Sequence, residues 1–284
     1  MKYHFLSILC LVLLFSCSSE EEPEMMEENN LPSYIPTSGA TSPTSYSGRD
    51  LIWQDEFNGN SLDRSNWNYE LGDGCDQGIC GWGNNELQWY TDRNASIVGD
   101  EYLVITAKRE SSNGKEYTSS RITTEDKFEF KYGRVDIRAA LPGGKGLWPA
   151  LWMLGTSGGE WPRNGEIDIM ECGKGGNDDL VSGTVHWDNN GDYAQFGSDK
   201  SFSNGDLQNN FHVYSIEWSA NVIRWYVDDV QYHVIDTSPG DLSEFRNDFY
   251  LLFNVAVGGD FPGDPDSSTS FPQFMVVDYI RVFQ

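Results

Sequence analysis

Gly165-Glu166-Ile167-Asp168-Ile169-Met170-Glu171-Cys172 sets three carboxylates into an otherwise apolar, β-prone run. Charges there are costly unless one face of the strand is wet and the other is buried. Side chains alternate along a strand, so Glu166 and Asp168 share one face while Ile167 and Ile169 take the other. Strict alternation puts Glu171 on the wrong face. One extra residue near Ile169 and Met170 restores it, because a bulge sets two residues opposite one. The spacing therefore predicts a half-buried strand with a β-bulge at that point.

Short β-type runs surround this one. They include Tyr102–Ala107, Tyr132–Arg138, Val213–Trp218, Val222–Val227 and Met275–Val282, divided by Gly, Asn and Asp, with no long helical periodicity. Many short strands with such punctuation predict an all-β fold of two packed antiparallel sheets, a sandwich or jelly roll. No second composition break interrupts residues 49–284, which read as one domain.

The chain has 284 residues, 44 Asp plus Glu against 19 Lys plus Arg, and a formal charge of -25. A balance this acidic argues against binding nucleic acid, which requires a basic face. With 10 Trp, 14 Tyr and 15 Phe the chain can bury a core, which argues against disorder along its whole length. The one long apolar run, Phe5–Phe15, follows Lys2 and is too short to span a bilayer comfortably; it is built like the apolar part of a secretory signal.

That run closes on Leu14-Phe15-Ser16-Cys17, which resembles a bacterial lipobox, in which the Cys becomes the lipidated first residue of the mature protein. Residues 1–16 are then a signal peptide. Glu20, Glu21, Glu22, Glu24, Glu27 and Glu28 follow, a cluster similar to the export tag of surface lipoproteins. Residues 17–48, acidic and rich in Ser and Pro, read as a tether. The resemblance implies a chain lipid-anchored to the outer membrane and exposed at the cell surface, with no other membrane attachment. Cys75 and Cys80, in a Gly-rich loop, allow either a small disulfide or two free thiols in an exported protein.

Three clustered acids without interspersed bases also suit chemistry. The nearest bases, Arg163 and Lys174, lie outside the run, whereas a merely solvated face would mix signs. With the bulge, Glu166 and Glu171 are effectively four positions apart, about 13 Å along the backbone. Inward-leaning side chains on a curved strand can close that towards the roughly 5–5.5 Å of a retaining glycosidase. Close like charges raise the pKa of at least one member, which supplies a protonated acid beside an ionised nucleophile.

The run resembles the catalytic signature of glycoside hydrolase family sixteen in its bulged form, E-x-D-x-x-E, typical of laminarinases. Further family-like motifs follow in order: Trp53–Phe57, Gly81–Thr91, Tyr117–Ile122, Tyr132–Arg134, Gly146–Leu154, Gly183–Trp187, Ala256–Gly259 and Phe271–Val282. The resemblance spans about residues 50–284. It implies a β-jelly roll with a concave substrate cleft and an endo-acting β-1,3-glucanase, with mixed-linkage β-1,3-1,4-glucan as a further substrate. The alternatives are a relative acting on agar- or carrageenan-type galactans and a noncatalytic glucan-binding protein. It also implies Glu166 as nucleophile, Glu171 as acid/base, Asp168 as their assistant, and His186 as the histidine that approaches them.

A glucan cleft needs flat aromatic platforms with polar rims. Trp148 and Trp152 are four apart in a β-type run and hence on one face. Trp161 and Trp187 are further candidates, while Trp53, Trp67, Trp218 and Trp225 are assigned to the core. By the resemblance, Asn85 and Arg134 match positions that bind substrate hydroxyls, although a structural salt bridge is an open alternative for Arg134. It also implies a structural Ca²⁺ between Glu56 and Asp278, with a backbone carbonyl near Asp100 or Glu101, where the usual Asp-Gly turn is absent. The expected partner is a β-glucan polysaccharide and the expected state a monomer.

Overall fold

In a computed structural model the described residues are 31–157 and 159–284. The signal peptide and Cys17 lie outside them. Two sheets account for most of the fold. The seven-stranded sheet runs in the order Asp192–Ser201, Leu180–Asn189, Glu166–Cys172, Leu147–Gly155, Phe249–Val257, Arg121–Thr123, Asn68–Glu70. The eight-stranded sheet runs Val230–Asp236, Val222–Val227, His212–Trp218, Gly133–Ala140, Gln273–Phe283, Tyr102–Ala107, Ala95–Val98, with Leu51–Asp55 also paired to Gln273–Phe283. Neighbouring strands within both sheets are antiparallel. This is the expected all-β sandwich of jelly-roll type.

The core fills the space between the sheets. Leu151, Met153, Ile167, Ile169, Leu251 and Phe253 come from one sheet and Ile137, Ile216, Ile223, Trp225 and Ile280 from the other, all essentially inaccessible to water. Trp67, Trp218 and Trp225 are buried, and Trp53 packs on the core stacked against Phe128, as assigned from the sequence.

The bulge is where the sequence places it. Along one neighbour Asp168 pairs with Trp152 and Met170 with Leu151, which leaves Ile169 extra. Along the other, Asp168 pairs with Thr184 and Glu171 with Ser182, so Gly183 alone spans the insertion. Trp225 reaches across the core from the opposite sheet and donates its indole N–H to the carbonyl of Asp168 at 2.8 Å. Gly183 makes room for that ring, since a Cβ there would lie 2.6 Å from the Trp225 ring and 2.5 Å from the Tyr232 hydroxyl.

One expectation is corrected here. Residues 31–48 are not a tether: the compact unit begins at Leu31. Ile35 is buried with Val104, Ala140, Phe211 and Val276, and Tyr34 stacks on Phe274 at 3.9 Å. Ala40 and Ser38 share backbone hydrogen bonds with Phe211, and the Tyr46 hydroxyl donates to Asp136. Single anchors spaced along an irregular segment leave no periodicity for a sequence reading to detect.

Glu56 and Asp278, the expected calcium ligands, do not form an acidic cage. Both Glu56 oxygens accept from the Arg281 guanidinium, at 2.7 and 2.8 Å, and Asp278 accepts from Arg138 at 2.6 Å. Each carboxylate is paired with an arginine, so a calcium ion between them would replace these two ion pairs.

Gly183→Ala should displace Trp225 from the bulge. We expect a loss of about 1–3 kcal/mol, the usual cost of overpacking a core, read as a lower Tm in thermal melts. An unchanged Tm would show that the Trp225 contact does not hold the strand.

Candidate active site

Alternation along the strands brings the site to the outer face of the seven-stranded sheet. On Leu147–Gly155 the residues Leu147, Leu151 and Met153 turn into the core, while Trp148, Trp152 and Leu154 turn outward. They meet Glu166, Asp168 and Glu171 from the adjacent strand in one cleft, with Ile79, Trp82, Asn84, Glu86, Arg121, Trp161 and Asn254 around them.

Glu166 and Glu171 each have a separate indole donor. Trp161 donates to Glu166 Oε2 at 2.9 Å and Trp148 to Glu171 Oε1 at 2.9 Å. His186 lies directly opposite Glu166 on the next strand. Its Nε2 sits 3.0 Å from Asp168 Oδ2 and 3.7 Å from Glu166 Oε1. Among the described residues, Glu166, Asp168 and His186 are the only set of three potential metal-donor side chains that converge this closely, and they belong to the carboxylate site itself.

Burial sets the protonation. Glu166 is pushed up to about 8, by desolvation first and then by the Asp168 charge, against the pull of His186 and the Trp161 N–H. Asp168 is raised by burial, offset by its hydrogen bond with Glu166. Glu171 is raised well above the carboxylate range by burial and by the charges of Asp168 and Glu166, with His186 and Trp148 opposing. All three are raised; the anion of Glu166 has Trp161, His186 and Arg121 to favour it, and Glu171 faces the charges of both acidic neighbours. An acid and a potential nucleophile on one strand are what two-carboxylate glycoside cleavage requires.

The cleft contains residues that the sequence reading passed over. Arg121 is clamped between the Trp82 and Trp152 rings, its guanidinium carbon 4.4 and 4.9 Å from their centroids, and is paired with Glu70. Beneath the floor, Trp152 donates to Asn254 and Asn254 to Tyr90. Tyr90 in turn donates to buried Glu86, which also accepts from Gln88 and Asn84. Asn254 had a legible signal, a lone amide in the apolar run Phe249–Val257. Glu86 and Arg121 stand inside motifs whose other members attracted attention.

Three expected contacts are absent from the cleft. Asn85 is exposed and turned aside, with its amide donating to Asp260 at 3.0 and 3.1 Å; its neighbour Asn84 lines the cleft instead. Arg134 is on the other sheet, bonded to Asp136 at 2.7 Å and paired with Asp229, so the salt-bridge alternative holds. Trp187 turns inward onto Phe245, because it alternates with His186. Trp148, Trp152, Trp161 and His186 are where the sequence placed them. The Sγ atoms of Cys75 and Cys80 are bonded to each other, closing a loop that leads to Trp82.

A jelly roll with paired carboxylates in an aromatic cleft has the construction of a glycosidase. The chain belongs to glycosyl hydrolases family 16, whose model matches residues 82–279. It is 42% identical over 253 residues to a beta-glucanase of Rhodothermus marinus, covering 83% of this chain and 85% of that one. It is 40% identical over 285 residues to glucan endo-1,3-beta-glucosidase A1 of Niallia circulans, covering 92% and 41%. The laminarinase catalytic domain of Thermotoga maritima superposes with a TM-score of 0.75 at 47% identity, over 83% of this chain and 98% of that one. The chain spans only 34% and 41% of the length of two of its curated relatives.

Because burial and two acidic neighbours raise the Glu171 carboxyl in the fold above its ordinary value of 4.5, its stabilising contribution is complete below about 4.5 and is lost as pH rises towards its raised folded value. Glu171→Gln removes that loss. Its Tm should exceed that of the unmodified protein by several degrees at pH 8 and by much less at pH 5. Equal gains at both pH values would contradict a buried, protonated Glu171.

Proposed function

We propose that the protein is a retaining endo-β-1,3-glucanase acting on laminarin-type glucans, with mixed-linkage β-1,3-1,4-glucan as a further substrate. The observation that carries the reading is the bulged strand itself, on which Glu166 and Glu171 each keep a separate indole donor in one cleft. Glu166 attacks the anomeric carbon as Glu171 gives its proton to the departing glycosidic oxygen, and the bond to the leaving chain breaks. Glu171, now ionised, takes a proton from water, whose oxygen displaces Glu166 and releases the sugar with its original β configuration. Asp168 and His186 hold the pair in register and modulate its charge. Trp148, Trp152 and Trp161 offer flat faces to the C–H sides of glucose rings.

Neutral glucan fits the lining better than a sulfated galactan. Arg121 is the one basic residue lining the described cleft, and two indoles and Glu70 already engage it. Presence of both Glu residues favours catalysis over binding alone.

Loss of the acid or the nucleophile should reduce laminarin turnover by at least about 10²–10⁴-fold, the range that general acid–base groups contribute. Glu166→Gln should form no glycosyl-enzyme. Glu171→Ala should regain turnover of an activated aryl β-glucoside when azide replaces water, giving a β-glycosyl azide. The first product released from laminarin should be the β-anomer by NMR; an initial α-anomer, or wild-type rates for Glu166→Gln, would overturn the mechanism. Laminarin, lichenan, curdlan, agarose and carrageenan compared side by side decide the substrate class.

We also propose that export and lipidation at Cys17 place the enzyme on the outer membrane surface, where a polysaccharide too large to enter the cell can be cut. The lipobox-like Leu14–Cys17 and the glutamates after it support this. Labelled palmitate should be incorporated into the full chain and lost in Cys17→Ala. Unchanged labelling would reject the anchor.

A further inference from the structure

The edge strand Asp192–Ser201 carries an aromatic residue that the reaction above does not use. Tyr193 is 50% exposed, and Trp161 beside it is 49% exposed. Their ring centroids are 5.2 Å apart at 35°, and the Tyr193 ring lies 5.8 Å from that of His186 at 15°. Two adjoining large rings open to water beside Glu166 form a surface of the kind that stacks on a sugar.

The hydroxyl of the same residue points inward. Tyr193 Oη donates to Gln195 Oε1 at 2.8 Å and lies 2.7 Å from His186 Nδ1. With its only proton given to Gln195, the phenol oxygen can only accept, so Nδ1 of His186 carries a hydrogen. The phenol keeps its proton, because burial and the charges of Glu166, Asp168 and Glu171 push it up to about 12. The opposite ring nitrogen, Nε2, thereby faces Asp168 Oδ2 at 3.0 Å and Glu166 Oε1 at 3.7 Å, a contact that requires one proton between them, carried by a carboxyl group or by Nε2. Strand register explains the arrangement: His186 pairs with Gln195, and Tyr193 is two residues along on the same face.

We propose that Tyr193 serves the cleft in two ways, as a positioning residue whose hydroxyl, set by Gln195, holds His186 against the carboxylates, and as a platform for a glucosyl ring beyond the one on Trp161. The edge strand therefore belongs to the substrate site, and the cleft is one sugar longer than the Trp148, Trp152 and Trp161 surface alone. This rests on the glucan-cleaving reading of the cleft.

The two roles separate by substitution. Tyr193→Phe keeps the ring and loses the hydroxyl; kcat on laminarin should fall about tenfold with KM within twofold, a loss confined to the transition state. Gln195→Ala should shift kcat the same way by less. Tyr193→Leu keeps bulk without an aromatic face and should also raise KM about tenfold, which marks lost ground-state binding. That rise should vanish on oligosaccharides too short to reach Tyr193. Imidazole ¹⁵N shifts of His186 should show Nδ1–H in the unmodified protein and a changed tautomer in Tyr193→Phe, with thermal melts confirming folded variants. An active unmodified enzyme whose Tyr193→Phe and Tyr193→Leu forms keep kcat, KM and the His186 tautomer would overturn the inference. An unmodified protein that cuts no β-glucan would overturn the functional reading instead, while the NMR measurement would still decide the hold on His186.

Discussion

Three buried carboxyl groups on the outer face of one strand cannot all be charged. Desolvation raises each of them, and the Asp168 charge raises both glutamates further. The site resolves the conflict by unequal partnering. Glu166 has an indole N–H, an imidazole and a more distant guanidinium to support its anion, while Glu171 has an indole N–H and the same imidazole but faces two acidic neighbours. One strand therefore gives two residues of the same type different surroundings, as the proposed acid and nucleophile require.

That inequality requires the sandwich. Glu166, Asp168 and Glu171 share a face only because Ile169 is inserted into the ladder, and the insertion is braced from behind by Trp225 of the opposite sheet. Bulges interrupt ladder bonds, and an indole N–H offered to the carbonyl of Asp168 supplies a hydrogen bond at that interruption. The floor is held in the same manner. Arg121 lies between two indoles, and the chain of bonds from Trp152 through Asn254 and Tyr90 to Glu86 ties an aromatic platform to the loop that carries Asn84 and Trp82. Such preorganisation keeps the platforms fixed relative to the carboxylates.

Sequence reasoning succeeded where the answer depended on spacing along one strand. Period two assigns Trp148 and Trp152 to one face and detects the defect at Glu171 that a bulge repairs. It fails where the answer depends on which sheet a strand joins. Arg134 and Arg121 both sit on β-type runs with suitable neighbours, yet Arg134 is on the far sheet and Arg121 in the cleft. In a turn, one residue decides direction: Asn84 faces the cleft and Asn85 turns to Asp260. Glu56 and Asp278 sit at family-like positions, but the arginines that meet them come from distant points of the chain.

By itself the sequence determined the all-β class, the bulged carboxylate strand, the aromatic floor beside it and the family resemblance. All of these are local, because side-chain alternation and the cost of unpaired charge act over a few residues. Tertiary structure alone decided which arginine and which asparagine line the cleft, that residues 31–48 pack on the sandwich, and that Tyr193 and Gln195 stand behind His186. Those outcomes depend on strands far apart in sequence becoming neighbours, and residue alternation carries no information about which strand lies alongside.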